Sequence, residues 1–173
     1  MKPKNITVLV MPVSVFPALQ AFREAEMIKP TRILGPHVSI LGPLAPGDVT
    51  ESVIARLAEA VRPHRPICAV LPQFCVFPDV PVLYLSVYPV APFEALREVA
   101  LRVISDHQPT FEAPVFHLSL GLGFELRELP ELMCRAHSQL DSLLPLETTL
   151  GELLLADRID GVWHVRETFP LGQ

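Results

Sequence analysis

The sequence predicts a compact protein of mixed strands and helices, built as two halves that repeat one order of elements. Half of the 173 residues are hydrophobic and only 19% are charged, a balance that excludes a disordered chain. Short alternating apolar runs are separated by stretches whose apolar residues recur at helical spacing. The pattern His-x-Ser occurs twice in strand-like segments, at His37 and at His117, 80 positions apart.

The first half begins with a β-branched run at 6–13, which predicts a buried strand. Two lysines precede this run, as in a secretory leader, but Pro12 and Pro17 interrupt it and no small-x-small cleavage site follows. We therefore favour a strand. Pro17 suits a first helical turn, and the apolar spacing that follows predicts a helix over 16–27.

The first His-x-Ser motif lies in a strand predicted over 36–43, which Gly and Pro close. The run Asp48-Val49-Thr50-Glu51 resembles a capping box and predicts the start of a second helix, which Pro63 ends. The stretch 67–77 is predicted as one strand, with Pro72 marking an edge or a bulge within it.

The second half repeats this order and adds two closing strands. The predicted elements are a strand over 82–88, a helix over 93–104, a strand with the second motif over 115–122, a helix over 128–144, and strands over 150–156 and 162–169 joined by a turn at Asp160-Gly161. We therefore expect one domain over 1–173, with repeats at about 6–77 and 82–169. A pseudo-two-fold arrangement would make the two motif strands face each other across a cleft.

Charge and cysteine content limit the classes of partner. The net charge of −5 argues against a protein that grips long duplex nucleic acid, whereas a small anionic ligand held by a few groups is compatible with it. No apolar stretch approaches the ~20 residues of a membrane span. Three cysteines without paired spacing indicate neither a disulfide framework nor a zinc ribbon, and favour a reducing cytoplasm. No cofactor motif is present, and the oligomeric state stays open.

The two motifs offer acid–base chemistry without a metal. Side chains two apart on a strand share a face, so His37 lies beside Ser39, and His117 beside Ser119. An imidazole with a pKa of about 6.5 can accept a proton while its partner donates one, and hydroxyls can donate to phosphate oxygens. The blander alternative is that each histidine only satisfies a backbone carbonyl at a strand end.

Other side chains are weaker candidates. His64, His107, His137 and His164 show no metal-site spacing, and we expect structural or exposed roles for them. Cations that could steer an anion, although surface pairing is the commoner role, are Lys29, Arg32, Arg158 and Arg166. Aromatic residues that could stack a base, although core or rim positions are commoner, are Tyr84, Tyr88 and Trp163.

The motifs with their apolar flanks, His37-Val38-Ser39-Ile40 and His117-Leu118-Ser119-Leu120, resemble those of the two-histidine (2H) phosphoesterase superfamily, which includes the 2′-5′ RNA ligase and cyclic phosphodiesterase group. The resemblance implies a bilobal α+β fold, with two antiparallel sheets lining a central cleft and helices outside. It also implies opening of a 2′,3′-cyclic phosphate at a nucleotide or RNA end, or the reverse formation of a 2′-5′ linkage.

Two departures favour hydrolysis over ligation. The ligase branch tends to have Thr where both motifs here have Ser, a change that keeps the hydroxyl donor. That branch also often has Arg shortly after the second motif, where this chain has Gly121-Leu122-Gly123.

The leading hypothesis is a cytoplasmic, metal-independent cyclic phosphodiesterase. His37 and His117 would be its acid and base, in an order that the sequence leaves open, and Ser39 and Ser119 would bind the phosphate. One alternative is a non-catalytic protein that binds nucleotides or RNA ends. A second alternative is a metal-dependent hydrolase that uses other histidines or acids.

Overall fold

The computed structural model describes residues 5–14, 16–27, 34–77, 79–104 and 114–172. Short 3₁₀ turns aside, the elements of these residues are β1 (Ile6–Pro12), α1 (Pro17–Glu26), β2 (His37–Leu44), α2 (Glu51–Val61), β3 (Ile67–Leu71), β4 (Phe74–Val76), β5 (Val82–Ser86), α3 (Ala91–Val103), β6 (His117–Leu122), α4 (Leu129–Leu140), β7 (Leu146–Leu150), β8 (Glu152–Ile159) and β9 (Val162–Pro170).

The strands form two antiparallel sheets, which confirms the predicted α+β class. The larger sheet has seven strands in the order β4-β5-β6-β2-β1-β8-β9, and the smaller pairs β3 with β7. The motif strands β2 and β6 are neighbours in the larger sheet, joined through the pair Val38–Leu118. They therefore lie side by side, in closer contact than strands facing each other across a cleft.

The main core lies on one face of the seven-stranded sheet. Apolar side chains from α1, α2, α3, α4 and the β3–β7 sheet pack there against strand residues such as Leu9, Val38 and Leu118. A smaller apolar cluster of Val10, Leu34, Ala156 and Trp163 belongs to the opposite face of the sheet. Because successive strand residues alternate between faces, polar side chains next to Val38 and Leu118 project away from the main core.

The helices are exchanged between the two halves of the chain. Helix α1 packs against β6 and α4 of the second half, while α3 packs against β2 and α2 of the first. The α1–α4 contact includes a bidentate ion pair in which Arg135 donates from Nε and Nη2 to the carboxylate of Glu26, at 2.6 and 2.9 Å. Each histidine strand is therefore supported by a helix from the other half.

One predicted helix and two predicted strands were wrong in extent. The stretch 67–77 is two strands in different sheets, because Pro72 removes a ladder donor where the chain leaves β3 for β4. The helix predicted to reach 144 ends at Leu140 and is followed by a 3₁₀ turn, so β7 at Leu146–Leu150 was missed. The strand expected over 150–156 is β8, which runs from Glu152 to Ile159.

The predicted capping box was also displaced. Thr50 is the N-cap of α2, and its hydroxyl accepts a hydrogen bond from the Val53 amide at 3.4 Å. Asp48 instead ends a 3₁₀ turn, where its carboxylate accepts from the Ala45 amide. The predicted closing turn is confirmed, since Asp160 and Gly161 both have positive φ, at 50° and 87°, as in a two-residue hairpin turn.

Among the described residues, no helix has both the length and the apolar character needed to cross a bilayer.

Candidate active site

The two His-x-Ser motifs lie next to each other on the face of the sheet opposite the main core. Because Val38 pairs with Leu118 in antiparallel register, His37 is level with Ser119 and His117 is level with Ser39. Val38 and Leu118 are fully buried in the main core, so the histidines and serines project to the other side. The structure thus brings together all four residues singled out from the sequence.

Both histidines make the same local hydrogen bond. Nδ1 of His37 lies 2.9 Å from the carbonyl oxygen of Gly35, and Nδ1 of His117 lies 2.6 Å from that of Val115. Since a carbonyl only accepts, each Nδ1 carries the proton, and Nε2 is left as the nitrogen that exchanges protons in the neutral ring. The alternative in which each histidine only satisfies a backbone carbonyl correctly predicts this contact. The contact uses Nδ1 alone, so it orients the ring and leaves Nε2 available for proton transfer.

Burial disfavours the charged form of both rings. It lowers the pKa of His37 to about 4, against the opposing hydrogen bond to Gly35, and the positive charges of Arg23 and His117 lower it further. Burial also lowers the pKa of His117, opposed by the hydrogen bond to Val115. In the free protein at neutral pH both rings are therefore uncharged, and an anion bound between them would raise both pKa values.

A β-bulge follows each motif at the same place. In the β1–β2 pair the register shifts after Ser39, so Ile40 lies opposite no single partner; in the β5–β6 pair Leu120 does the same after Ser119. Bulges turn side chains and leave backbone groups outside the regular ladder. The pseudo-two-fold repeat therefore extends from the order of elements to the local backbone of the site.

Aromatic rings surround His117. Tyr84 lies opposite Ser119 on β5, and its ring stacks on Phe77 with centroids 4.4 Å apart. Both rings meet His117 edge-on, at 5.0 Å for Phe77 and 5.1 Å for Tyr84. Tyr84 is 9% exposed, and burial raises the pKa of its hydroxyl. In this structure it packs around the histidine instead of presenting an open ring face to a base.

The strands flanking the two histidines differ. His117 lies opposite Ser86, whose hydroxyl oxygen is buried without a hydrogen-bond partner in the described structure. His37 lies opposite Pro12. The ring of His37 is therefore flanked by an apolar residue, and the ring of His117 by a polar one.

Arg23 was missed by the sequence analysis. It is 4% exposed, and its Nε donates to the carbonyl oxygen of Ser119 at 2.9 Å. Burial lowers the pKa of its guanidinium to about 10. The signal that could have found it is its place one turn after Leu19 and next to Phe22, on the buried face of α1, where a charged residue interrupts an apolar stripe.

The remaining histidines do not join the site. His137 is exposed, pairs with Asp141 at 2.9 Å and meets the edge of Phe74. His164 is exposed on β9, opposite Asp157, and His64 follows α2. His107, Lys29 and Arg32 lie outside the described residues.

The other candidate cations and aromatics have partners elsewhere. Arg158 lies over the Trp163 ring at 5.8 Å, and Arg166 pairs with Glu51 at 3.2 Å. Tyr88 is exposed beside β5. Among the residues that the structure describes, no cluster of three or more His, Cys, Asp or Glu is placed to hold a metal ion. The three cysteines are free thiols.

Comparison with known proteins identifies relatives over nearly the whole chain. The model of the 2′-5′ RNA ligase superfamily matches residues 11–161. Among proteins with curated functions, none matches this sequence.

Solved structures share the fold at low sequence identity. TT0787 of Thermus thermophilus is 16% identical with a TM-score of 0.60, covering 97% of this chain and 99% of its own. E. coli LigT in complex with 3′-AMP is 14% identical with a TM-score of 0.59, covering 98% and 99%. Usb1 of Kluyveromyces marxianus is 15% identical with a TM-score of 0.55, covering 97% and 99%. Since the family model spans most of the sequence, the chain belongs to the 2′-5′ RNA ligase superfamily of two-histidine phosphoesterases.

Proposed function

We propose that this protein is a metal-independent cyclic phosphodiesterase that opens the 2′,3′-cyclic phosphate of a nucleotide or an RNA end. The observation that carries the proposal is the matched pair of histidines, His37 and His117. They lie on adjacent strands, hold the same Nδ1 hydrogen bond and share a sheet face with Ser39 and Ser119. This arrangement offers two proton-exchanging nitrogens and two hydroxyl donors to one phosphate.

The proposed reaction needs one neutral and one protonated ring. Nε2 of the neutral ring takes a proton from water as the water oxygen bonds to phosphorus; the other ring gives a proton to the 3′ oxygen as the P–O3′ bond breaks, the same bond that 2′-5′ ligation would break. We assign His37 as base and His117 as acid, because His37, whose pKa lies near 4, stays neutral over the wider pH range. The serines donate to the non-bridging oxygens, where negative charge resides.

The substrate class is inferred from charge and from relatives. Structures of E. coli LigT are described with 3′-AMP, ATP and NADP+, all small nucleotides. The net charge of −5 favours a short ligand over a long duplex. We therefore propose a role on nucleotides or RNA termini, as in RNA processing, in the cytoplasm, with the whole chain acting as one domain. Reverse 2′-5′ ligation would be a minor activity.

The test is turnover of a panel of 2′,3′-cyclic nucleotides by the purified protein in EDTA, with the product identified by ³¹P NMR. The proposal expects a ring-opened monophosphate that forms at the same rate with and without EDTA. Binding without turnover would favour the non-catalytic binding protein. Activity that is lost in EDTA and restored by zinc or manganese would favour the metal-dependent hydrolase.

A further inference from the structure

A buried cation lies behind the two motifs, and the reaction scheme above gives it no task. We propose that Arg23 of α1 is a positioning residue of the histidine site, which holds the main chain of the second motif at its bulge and sets the electrostatic environment of His37. This inference rests on the proposed function of the two histidines. It goes beyond that function by adding a residue from outside both motifs.

The hydrogen bond to Ser119 supports a positioning role. Ser119 is the last residue before the register shift of β5–β6, where the regular ladder is interrupted. The Arg23 Nε donates to its carbonyl oxygen at 2.9 Å, from a helix that belongs to the other half of the chain. The main chain carrying the Ser119 hydroxyl is thus fixed to α1 at a point level with His37.

Stability alone gives little reason for an arginine at this place. Leu19 and Phe22, on the same face of α1, are 1% exposed and belong to the main core. Taking a guanidinium out of water costs free energy, and an apolar side chain of similar volume at such a site is often neutral or stabilising. A cation that carries this cost next to a candidate active site indicates a role in that site.

The electrostatics point the same way. Arg23 is hydrogen-bonded to Ser119, which lies level with His37, and its positive charge contributes to the lowered pKa of His37. A cation behind the base favours the neutral ring that can accept a proton from water. The exposed Arg135, held by Glu26, lies near the same end of α1 and is not among the causes of the shift.

The pattern is repeated in the second half. Helix α3 packs against β2 as α1 packs against β6, and Arg97 occupies the place in α3 that Arg23 has in α1. The two helices share this local sequence: Ala21-Phe22-Arg23-Glu24 and Ala95-Leu96-Arg97-Glu98. Leu96 is buried like Phe22, so the two segments present equivalent faces to the core. Arg97 is half-buried where Arg23 is buried, so the repeat is one of local sequence and of position in the helix.

The experiment compares R23M and R23K, with R135M as the matched control. R23M should lower kcat on a 2′,3′-cyclic nucleotide by about 10- to 100-fold and change KM less, because the Ser119 hydroxyl and the ring of His37 leave the geometry that the transition state needs. In an NMR titration, the His37 midpoint should rise by roughly half a pH unit or more. R23K should keep the midpoint and recover only part of kcat, since it retains the charge and loses the Nε donor.

R135M should leave both the His37 midpoint and kcat unchanged. Wild-type kcat together with an unchanged His37 midpoint in R23M would overturn the proposal, as would an equal shift at the distant His137. If the wild-type protein turns over no cyclic nucleotide, the proposed function fails, and the His37 titration still decides whether Arg23 sets its environment. If R23M does not fold, R23K, which keeps the positive charge, is compared with R23Q, which removes it, by the same two measurements.

Discussion

Val38 and Leu118 form the pair through which the two histidine strands meet, and both side chains are fully buried on the core side of that junction. The position of each motif therefore depends on the packing beneath it. Changes on the core side of the strands should act on stability, and changes on the histidine side should act on chemistry.

Leu118→Ala should lower the free energy of unfolding by about 2–5 kcal/mol, because it leaves a cavity where β6 meets the helices. Urea denaturation measures this loss. Leu126→Ala, at a position 60% exposed, is the matched control and should change stability by less than about 0.5 kcal/mol. Equal losses in the two variants would contradict the burial of Leu118.

His37→Ala and His117→Ala should each reduce the rate of cyclic-phosphate opening by about 10² to 10⁴ while leaving the circular dichroism spectrum unchanged. The physical reason is that each ring supplies one of two proton transfers. His137→Ala removes an exposed ring paired with Asp141 and should keep full activity. Near wild-type rates in either of the first two variants would exclude the acid–base scheme.

The pH profile of kcat/KM should be bell-shaped with its maximum below pH 6.5. Activity needs His37 neutral, whose pKa is about 4, and His117 protonated, whose pKa is below its ordinary 6.5. The acid limb and the alkaline limb then belong to the pair of rings in the free enzyme. Steady-state rates from about pH 3.5 to 8 measure the profile. A maximum above about pH 7 would contradict the lowered pKa values of the two rings.

The half-buried ring of His37 should also make stability depend on pH. Its pKa is lower in the folded protein, about 4, than the ~6.5 of an unfolded chain, so the unfolded state binds the extra proton between these values. Stability should therefore fall as pH drops from about 6.5 to 4, by up to about 1.4 kcal/mol per pH unit, and be unaffected above 6.5. Urea denaturation at about pH 7 and pH 5 should show a smaller loss in His37→Gln than in the wild type; identical losses would refute this.

At positions 39 and 119, activity should depend on the presence of a hydroxyl group more than on the size of the side chain that carries it. Ser39→Ala and Ser119→Ala each remove a donor to the phosphate and should cost about 10- to 10³-fold in kcat/KM. Ser39→Thr keeps the hydroxyl and should retain most of the activity. Ser52→Ala, at an exposed position in α2, serves as the control. Phosphate-ester kinetics compare the four variants, and full activity in both alanine variants would remove the serines from the site.

Local patterns were sufficient for the parts of the fold that depend on neighbouring residues. The alternation around His37 and His117, the helical spacing of α1 and the Asp160-Gly161 turn each follow from backbone geometry over a few positions. From these, the sequence predicted the order of the elements, apart from the separate strand β4 and the strand β7, and the shared face of each motif. The adjacency of β2 and β6 depends on pairing between distant segments and could not be predicted in detail.

The features that the sequence analysis missed all depend on contacts between segments that are distant in the sequence. Whether Pro72 marks a bulge or a change of sheet depends on which strands β3 and β4 meet, and β7 forms only because β3 provides its partner. Arg23 resembles a surface cation by residue type, and its burial becomes visible only when α1 is packed on β6. Residue chemistry identified the histidines, whereas their supporting cation required three-dimensional information.

Because the helices are exchanged, neither half of the chain can form a complete hydrophobic core by itself. Where two lobes are joined by a hinge, an enzyme can close around its ligand by swinging them together; here α1 and α3 cross-link the lobes, and the Glu26–Arg135 ion pair adds a further tie. The relative position of the two motif strands therefore depends on packing contributed by both halves of the chain. A chain cut between β4 and β5 should therefore yield fragments that become structured only when mixed, because each half lacks the helix that packs on its histidine strand.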